Sequence, residues 1–327
     1  MLDLEGLAKV GGMSSLRRAV IDVGTNSVKL LVAEVAGHHV RPLWEESKQT
    51  RLGEGFYETH QLQREAIHAT AYFAAEFAQI ARSYKTERVR LIATSAARDA
   101  LNRAELLEAL EQKTGLKPEV ISGEREAELA YQGVISDPSL DGPRLCLMEV
   151  GGGSAQLMVG QGPNREFATS FKLGALRLME QFPPSDSPQP AELSRCRDWL
   201  AGVMAREILP VLTPVLAAAP ERPLFIGTGG TAKSLLRMES TLNAREQERL
   251  EAEGIPLAVV TGWVESLWRL PLSERKRLLG LKKKRADVVP FGAVIFEAAL
   301  RGLGFTHLRV SKRGVRHAIL FEAPAPV

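Results

Sequence analysis

The sequence predicts an α/β protein made of two related halves around a cleft. Its 327 residues are enough for two domains, and 45% apolar and 25% charged residues are typical of a soluble globular chain. Segments 19–27 and 145–154 repeat one pattern, an apolar run followed by an acid, a glycine turn and a hydroxyl. Strand and helix patterns alternate between and after these segments, which is typical of α/β folds.

The repeated segments are predicted to be β-hairpins. In each, glycine follows the acid by two positions and serine follows it by five, with the acids at Asp22 and Glu149. An apolar run resumes after each turn, at 28–32 and 155–159. Glycine has no Cβ, so such a turn exposes backbone N–H groups to an anion. Two facing turns would cradle a phosphate chain.

The remaining elements follow from periodicity and turn residues. Between the hairpins, the pattern predicts a helix over 61–84, a strand over 89–93, a helix over 104–113, a strand over 119–121 and a helix over 124–134. After the second hairpin come a proline-rich loop at 183–190, a helix over 191–208, a strand over 224–226, a glycine turn at 227–231 and a helix over 232–238.

Charge and cysteine content exclude several classes of protein. Forty-two basic residues against 39 acidic ones give no sign of nucleic-acid binding. Cys146 and Cys196 form neither a disulfide framework nor a metal motif, so a reducing cytoplasm is expected. Neither a signal peptide nor 18 consecutive apolar residues are found, and no membrane association is expected. We expect a flexible extension at 1–16, with Met13 as an alternative start, a first domain at 17–135 completed by 311–327, and a second at 136–310.

Ordered motifs resemble the exopolyphosphatase and guanosine pentaphosphate phosphohydrolase family. They are Asp-Val-Gly-Thr-Asn-Ser at 22–27, Ser-Gly-Glu-Arg-Glu-Ala at 122–127, Gly-Gly-Gly-Ser at 151–154, Gly-Thr-Gly-Gly at 227–230, and the closing segments 285–288 and 311–316. The resemblance covers roughly residues 18 to 322. It implies two ribonuclease-H-like domains of the actin, sugar-kinase and heat-shock ATPase type, and a homodimer.

The chemistry of phosphoanhydride hydrolysis then assigns roles to the motif residues. Backbone and hydroxyl donors for phosphate are expected from Thr25, Asn26, Ser27, Gly152, Gly153, Ser154 and Gly229. The resemblance implies Glu126 as general base, although a first-turn acid favoured by the helix dipole is the alternative. It also implies a phosphate-handling role for Arg98, which could equally be a solvated surface arginine. Asp22 and Glu149 are expected to hold Mg²⁺.

Two positions depart from the family pattern. Glu149 stands where the family usually has aspartate, and Gln156 where it usually has glutamate. The first change moves a carboxylate outward by one methylene, and the second removes a charge. Both raise the alternatives of a site with weakened metal affinity or rate, a site retuned for another substrate, and a merely binding site.

The expected function is Mg²⁺-dependent release of terminal phosphate from inorganic polyphosphate or guanosine pentaphosphate. The basic runs at 282–285 and at Lys312, Arg313 and Arg316 would line a polyanion path or simply form a solvated face. The alternatives are a superfamily kinase, for which no acceptor-domain signature is found, and a non-enzymatic polyphosphate or nucleotide sensor.

Overall fold

The structure is a computed structural model that describes residues 16–37, 39–140, 142–242 and 247–322. The extension expected at 1–16 lies outside the described residues except for Leu16, which is already the first residue of a strand. The two halves have one architecture, a mixed sheet covered by helices, so the predicted duplicated α/β fold is confirmed.

The first half contains β1 (Leu16–Val23), β2 (Ser27–Ala36), β3 (His39–Gln49), β4 (Arg88–Ala93) and β5 (Glu119–Val120), with helices α1 (Phe56–Thr59), α2 (Arg64–Ser83), α3 (Ser95–Asp99), α4 (Arg103–Thr114) and α5 (Gly123–Ile135). Strand order is β3-β2-β1-β4-β5. The first three strands are antiparallel, whereas β4 and β5 run parallel to β1.

The second half contains β6 (Arg144–Val150), β7 (Ala155–Gln161), β8 (Asn164–Phe171), β9 (Leu224–Thr228), β10 (Ile255–Pro256) and β11 (His307–Val310). Its helices are α6 (Ala175–Gln181), α7 (Pro190–Val203), α8 (Leu209–Ala217), α9 (Gly229–Leu242), α10 (Gln247–Glu253), α11 (Leu257–Arg269), α12 (Leu272–Arg275), α13 (Val289–Leu303) and α14 (Val315–Phe321). Strands β8-β7-β6-β9-β11 repeat the order and directions of the first sheet, and β10 is added beside β11.

Alternation along the central strands assigns each sheet face to a different core. In β1, Ile21 packs into the core of the first half, while Val20 faces a third cluster that both halves share. In β6, Met148 packs into the core of the second half, while Leu147 faces the shared cluster. Helices α5 and α14 fill that shared cluster, so they lie between the two sheets.

The glycine segment at 227–231, predicted to be a turn, is a strand joined directly to a helix. Strand β9 continues through Thr228, whose hydroxyl donates to the Arg313 carbonyl at 2.6 Å. Gly229 then has a φ of +87° and begins α9. This left-handed conformation, accessible to glycine, lets the chain change from strand to helix within one residue.

The helix predicted to end near 208 continues further. A π-helical turn at Met204–Ile208 connects α7 to α8, so helix extends from Pro190 to Ala217 despite Pro210 and Pro214. Within the described residues this is the one helix whose length and composition would also suit a membrane span. Core helices of soluble proteins have the same property, so this resemblance by itself assigns no location.

Candidate active site

The two glycine turns meet at one cavity between the halves. A Cβ added to Gly152 would lie 3.0 Å from the Cβ of Thr25, which shows how closely the turns approach. Each turn is closed by an equivalent backbone hydrogen bond. Gly24 N donates to Ser27 O at 3.1 Å, and Gly151 N donates to Ser154 O at 2.9 Å. The cavity is lined by Asp22, Thr25, Asn26, Ser27, Glu126, Glu149, Gly152, Gly153, Ser154 and Gly229, which the sequence predicted, among others.

The three glycine carbonyl groups of the second turn are all bonded to residues of α6. Gly151 O accepts from Ala175 N at 2.9 Å, and Gly152 O accepts from the next two backbone N–H groups at 2.9 and 3.0 Å. Gly153 O accepts from Arg177 Nε at 2.9 Å. Because these peptide bonds are trans, their N–H groups point away from α6. None of these N–H groups has an acceptor in the described part of the chain, so the turn offers three donors to an anion.

The first turn is held in the same manner. Thr25 O accepts from Gly53 N at 2.8 Å, and Asn26 O accepts from Thr50 N and Arg51 N at 3.2 and 3.1 Å. The Asn26 N atom would lie 3.3 Å from a Cβ on Gly152, so it faces the second turn. Backbone donors of both hairpins therefore converge on one space, as phosphate oxygens require.

Asp22 and Glu149 occupy equivalent positions near the ends of β1 and β6. Asp22 accepts from Lys29 Nζ at 3.4 Å. Glu149 Oε2 is buried and has no hydrogen-bond partner among the described residues. Burial raises the Glu149 pKa, an effect that Lys29 opposes and Asp22 reinforces. An orphaned buried carboxylate oxygen is costly unless a cation or donor compensates for it.

Glu126 lies in the first turn of α5, where the Ser122 side chain caps the helix by accepting from Arg125 N at 3.1 Å. The Oε2 atom of Glu126 accepts a hydrogen bond from Arg98 Nη1 at 3.1 Å. Burial raises the Glu126 pKa to about 7, Arg98 opposes this shift, and Glu149 adds to it. A carboxyl with a pKa near neutrality can accept a proton from water, which suits a general base.

Arg98, predicted to be catalytic, lies behind Glu126 and is not among the residues that line the cavity. Besides Glu126, its Nη1 donates to Ile121 O at 3.0 Å, just before α5. The side chain is 21% exposed, so it is not a solvated surface arginine. In this arrangement Arg98 orients Glu126 and balances its charge.

The cavity also contains Lys29, Thr94 and Ser95, which sequence reasoning did not assign to the site, and Arg285, which belongs to the predicted basic run. A Cβ on Gly153 would lie 2.6 Å from Ser95 Oγ, so this hydroxyl borders the second turn. Arg285 lies against Gly230, its Nε has no partner among the described residues, and burial lowers its pKa to about 10. The basic run at 282–285 was the available signal, but it did not indicate which cation turns inward.

Comparison with known proteins identifies the family. Residues 31–324 match the model of the Ppx/GppA phosphatase family. The chain belongs to the Ppx/GppA phosphatase family. Exopolyphosphatase 2 of Mycobacterium tuberculosis is 30% identical over 326 residues, covering 94% of this chain and 98% of the relative. A guanosine-5'-triphosphate,3'-diphosphate pyrophosphatase of Photobacterium profundum is 28% identical, covering 93% of this chain and 58% of the relative.

Solved structures agree with this assignment. The Aquifex aeolicus member of the Ppx/GppA family superposes with a TM-score of 0.74 at 28% identity, covering 94% of this chain and 97% of that chain. An exopolyphosphatase from Cytophaga hutchinsonii shares the fold with a TM-score of 0.82 at 24% identity, covering 93% and 96%. This Ppx/GppA protein is therefore a phosphatase by family and has the fold of its relatives.

The Ppx/GppA site has a donor set that fits Mg²⁺. Asp22 and Glu149 supply carboxylate oxygens, and the unpartnered Glu149 Oε2 is available to a cation. Mg²⁺ is usually held by one or two carboxylates together with water and substrate phosphates. The described residues contain no cluster of three or more His, Cys, Asp or Glu that could hold a metal ion.

Gln156 directly faces Glu149 across the hairpin. Its Nε2 donates to Ser154 Oγ at 2.9 Å and Ser170 Oγ at 3.1 Å, while its buried Oε1 has no partner among the described residues. The amide is thus engaged by hydroxyls, which can equally donate to a carboxylate. The surroundings of position 156 can therefore hold either the glutamine found here or the glutamate that the family usually has.

A second space, here called the basic cleft, adjoins the cavity and shares Asp22, Lys29, Glu149, Gly229, Gly230, Arg285 and Val315 with it. It measures about 1990 Å³ including its open side. Its cations are Lys29, Lys233, Arg237, Lys282, Lys284, Arg285, Lys312, Arg313 and Arg316, against the acids Asp22, Glu45, Glu46, Glu149 and Glu251. Both predicted basic stretches therefore face one space beside the glycine turns.

Proposed function

We propose that this Ppx/GppA family member is a Mg²⁺-dependent phosphohydrolase that releases the terminal phosphate of inorganic polyphosphate. The observation that carries the proposal is the junction of two spaces: a cavity with converging free N–H groups opens into the basic cleft. The cavity suits one terminal phosphoryl group, and the cleft suits the repeated charges of the chain behind it.

In this mechanism the terminal phosphoryl group binds between the turns. The N–H groups of Gly152, Gly153 and Ser154 bind its oxygens, and Glu126 takes the proton of the attacking water. Arg98 holds the Glu126 carboxylate in place through their 3.1 Å hydrogen bond. Asp22 and Glu149 would hold Mg²⁺, which supplies charge neutralisation of the phosphate oxygens when bound.

Lys233 is a further support for a polyanionic substrate. This side chain lines the basic cleft and forms no hydrogen bond or ion pair with any described residue. Burial lowers the Lys233 pKa to about 8, Arg316 lowers it further, and Glu45 opposes the shift. An ammonium group without a protein partner is available to a phosphate of the substrate.

Guanosine pentaphosphate is the second candidate substrate, because the relatives that match this chain include both exopolyphosphatases and a guanosine-5'-triphosphate,3'-diphosphate pyrophosphatase. A non-enzymatic sensor remains the alternative from another class, suggested by Glu149 and Gln156. Phosphate release from polyphosphate, guanosine pentaphosphate and ATP, each with and without Mg²⁺, tests all three. Release from polyphosphate only with Mg²⁺ is expected. Binding of polyphosphate with no release from any substrate would contradict the proposal.

The proposal includes a homodimer in a reducing cytoplasm. The family resemblance supports the dimer, and the two buried free cysteines support the compartment. Light scattering coupled to size-exclusion chromatography tests the first, with twice the chain mass of 35.8 kDa as the expected result. Fractionation of the source cells tests the second.

A further inference from the structure

Arg177 makes three kinds of contact from one side chain. Its Nε donates to Gly153 O at 2.9 Å. Its guanidinium carbon lies 4.1 Å from the centroid of the Tyr57 ring, a cation–π distance. Its Nη2 lies 3.8 Å from Asp99 Oδ2. The side chain is 20% exposed, so these contacts are mostly shielded from water.

The contact with Gly153 completes the set of bonds that fixes the second turn. Backbone N–H groups of α6 reach Gly151 and Gly152, whereas the Gly153 carbonyl is bonded by a side chain instead. That carbonyl belongs to the same peptide unit as the Ser154 N–H. Arg177 therefore sets the direction of the Ser154 N–H and, through it, the geometry of the anion site.

The other two contacts cross the cleft. Tyr57 and Asp99 belong to the first half, while Arg177 belongs to the second. Asp99 also lies 3.6 Å from Arg98 Nε, and Arg98 bonds Glu126. A continuous set of charged contacts thus joins the second turn to the candidate base.

We propose that Arg177 is a positioning residue that aligns the Gly153–Ser154 peptide with the Arg98–Glu126 pair when phosphate is bound. This inference rests on the proposed function, because it deepens the role of the same site. Arg177 does not line the cavity, so it acts through Gly153 and Asp99 and not by touching the phosphate.

Arg222 provides a matched control. Its guanidinium carbon lies 4.9 Å from the centroid of the Phe305 ring, and its Nη2 donates to Leu303 O at 3.1 Å. It therefore combines an aromatic contact with a backbone hydrogen bond, as Arg177 does, but lines neither the cavity nor the basic cleft. A purely structural role predicts that both variants lose Tm and that neither specifically loses phosphate affinity or kcat.

The experiment compares Arg177→Met, Arg177→Lys and Arg222→Met. Binding of inorganic phosphate is measured by calorimetry, kcat and KM on polyphosphate by phosphate release, and Tm by scanning calorimetry. We expect Arg177→Met to weaken phosphate binding about tenfold, since one charge-assisted bond that orients a donor is lost. We expect kcat to fall by about 10²-fold, because a displaced donor misaligns the reacting groups. Arg177→Lys should recover part of both, and Arg222→Met should change Tm alone.

Unchanged phosphate affinity and kcat in Arg177→Met, or equal losses in Arg222→Met, would overturn the inference. If Arg177→Met does not fold, Arg177→Lys carries the same comparison, and wild-type affinity and kcat in that variant also overturn it. A wild-type protein that binds phosphate but does not hydrolyse polyphosphate contradicts the proposed function only, because the affinity comparison still decides the role of Arg177. A wild-type protein that binds no inorganic phosphate overturns the inference.

Discussion

At the scale of single residues, Glu126 experiences opposing influences on its carboxyl group. Burial removes water from the carboxylate, and the nearby Glu149 adds like charge, so the proton is held more firmly. The Arg98 guanidinium, 3.1 Å away, favours the ionised form. The balance leaves a pKa of about 7, at which the group can both accept and release a proton near neutral pH.

Replacing Glu126 by Gln should separate catalysis from binding. The amide keeps the size and can still accept from Arg98, but it cannot take a proton from water. We expect kcat on polyphosphate to fall by about 10²-fold or more, with inorganic phosphate affinity largely retained. Steady-state kinetics and calorimetry measure the two quantities. Wild-type turnover in Glu126→Gln would place the base elsewhere.

The shifted pKa of Glu126 also predicts how stability depends on pH. The folded pKa of about 7 exceeds the ordinary value of 4.5, so the folded protein binds this proton more tightly than the unfolded chain does. Glu126 therefore contributes stability below pH 4.5 that is lost as the pH rises to about 7. Glu126→Gln should lack this loss. We therefore expect its free energy of unfolding, measured in the presence of a metal chelator, to increase relative to that of the wild type as the pH rises from 4.5 to about 7.

Glu124 on the same helix is the control for this measurement. Hydrogen bonds from its own backbone N–H and from Ser122 lower the Glu124 pKa, so its contribution has the opposite sign and is lost as the pH falls. Glu124→Gln should consequently lose stability relative to the wild type at neutral pH. Parallel stability curves for Glu126→Gln and wild type between pH 4.5 and 7 would disprove the assigned shift.

At the scale of elements, the two hairpins repeat one another residue by residue. Asp22 pairs with Lys29 across the first hairpin, and Glu149 pairs with Gln156 across the second. In both, the acid lies beside the turn that presents backbone donors. The duplicated element has thus diverged at the residue opposite the acid, which is a cation in one copy and a neutral amide in the other.

Gly152→Ala tests whether the turns form a phosphate site. The added Cβ would lie 3.0 Å from Thr25 Cβ and 3.3 Å from Asn26 N, so it pushes the two hairpins apart. We expect phosphate affinity to fall by about tenfold or more, with a smaller loss of Tm. Gly262 in α11 has no atom within 4 Å of an added Cβ, so Gly262→Ala should leave affinity unchanged. Unchanged affinity with a large loss of Tm in Gly152→Ala would make the turn structural.

Restoring the family pattern with Glu149→Asp and Gln156→Glu tests the departures. Ser154 and Ser170 can donate to a carboxylate at 156, so the double variant should fold normally. Since ligand charge and position determine Mg²⁺ affinity, we expect tighter Mg²⁺ binding by calorimetry and faster hydrolysis. A double variant that binds polyphosphate yet hydrolyses nothing would favour a sensor. Loss of an activity that the wild type has would show that Glu149 is an adapted ligand.

The sequence predicted what depends on local pattern and missed what depends on tertiary contact. Hairpins, α4 and α5 follow from periodicity and turn residues, and the motif residues of both turns do line one cavity. The Gly-Thr-Gly-Gly segment was wrongly predicted as a turn, because glycine-rich sequence does not show that Gly229 alone makes the strand-to-helix change. The contact of Arg177 with Gly153 and the inward position of Arg285 beside Gly230 could not be predicted, since each joins residues that are distant in sequence.

At the scale of the whole molecule, several contacts hold the two halves together around the cavity. Arg51 pairs with Asp287 at 2.5 Å, and Gly55 N donates to Glu180 Oε1 at 2.8 Å. Lys284 donates to the backbone carbonyl of Ser47. Each joins a residue of the first half to a residue of the second. These contacts tie the two halves to each other across the cleft.

Arg51→Gln should make opening of the cleft easier. Its side chain is 41% exposed, so the ion pair is screened by water and its loss should raise KM by only a few-fold. The radius of gyration of the ligand-free protein, measured by X-ray scattering, should increase, and phosphate should reverse the increase. Arg17 pairs with Glu34 inside the first half, so Arg17→Gln should leave the radius unchanged. An unaltered radius in Arg51→Gln would show that other contacts maintain closure.

The position of α14 has a consequence for synthesis of the chain. This helix packs against α5, β1 and β2, and Arg18 of β1 donates to the Leu320 carbonyl at 2.6 Å. The first sheet therefore completes one of its covers with residues translated almost 300 positions after its central strand. While the ribosome translates the second half, Val20 and Leu31 have only the α5 part of their cover and lack the part that α14 provides. The face of the first sheet that carries Val20 and Leu31 is therefore completed only after α14 has been translated.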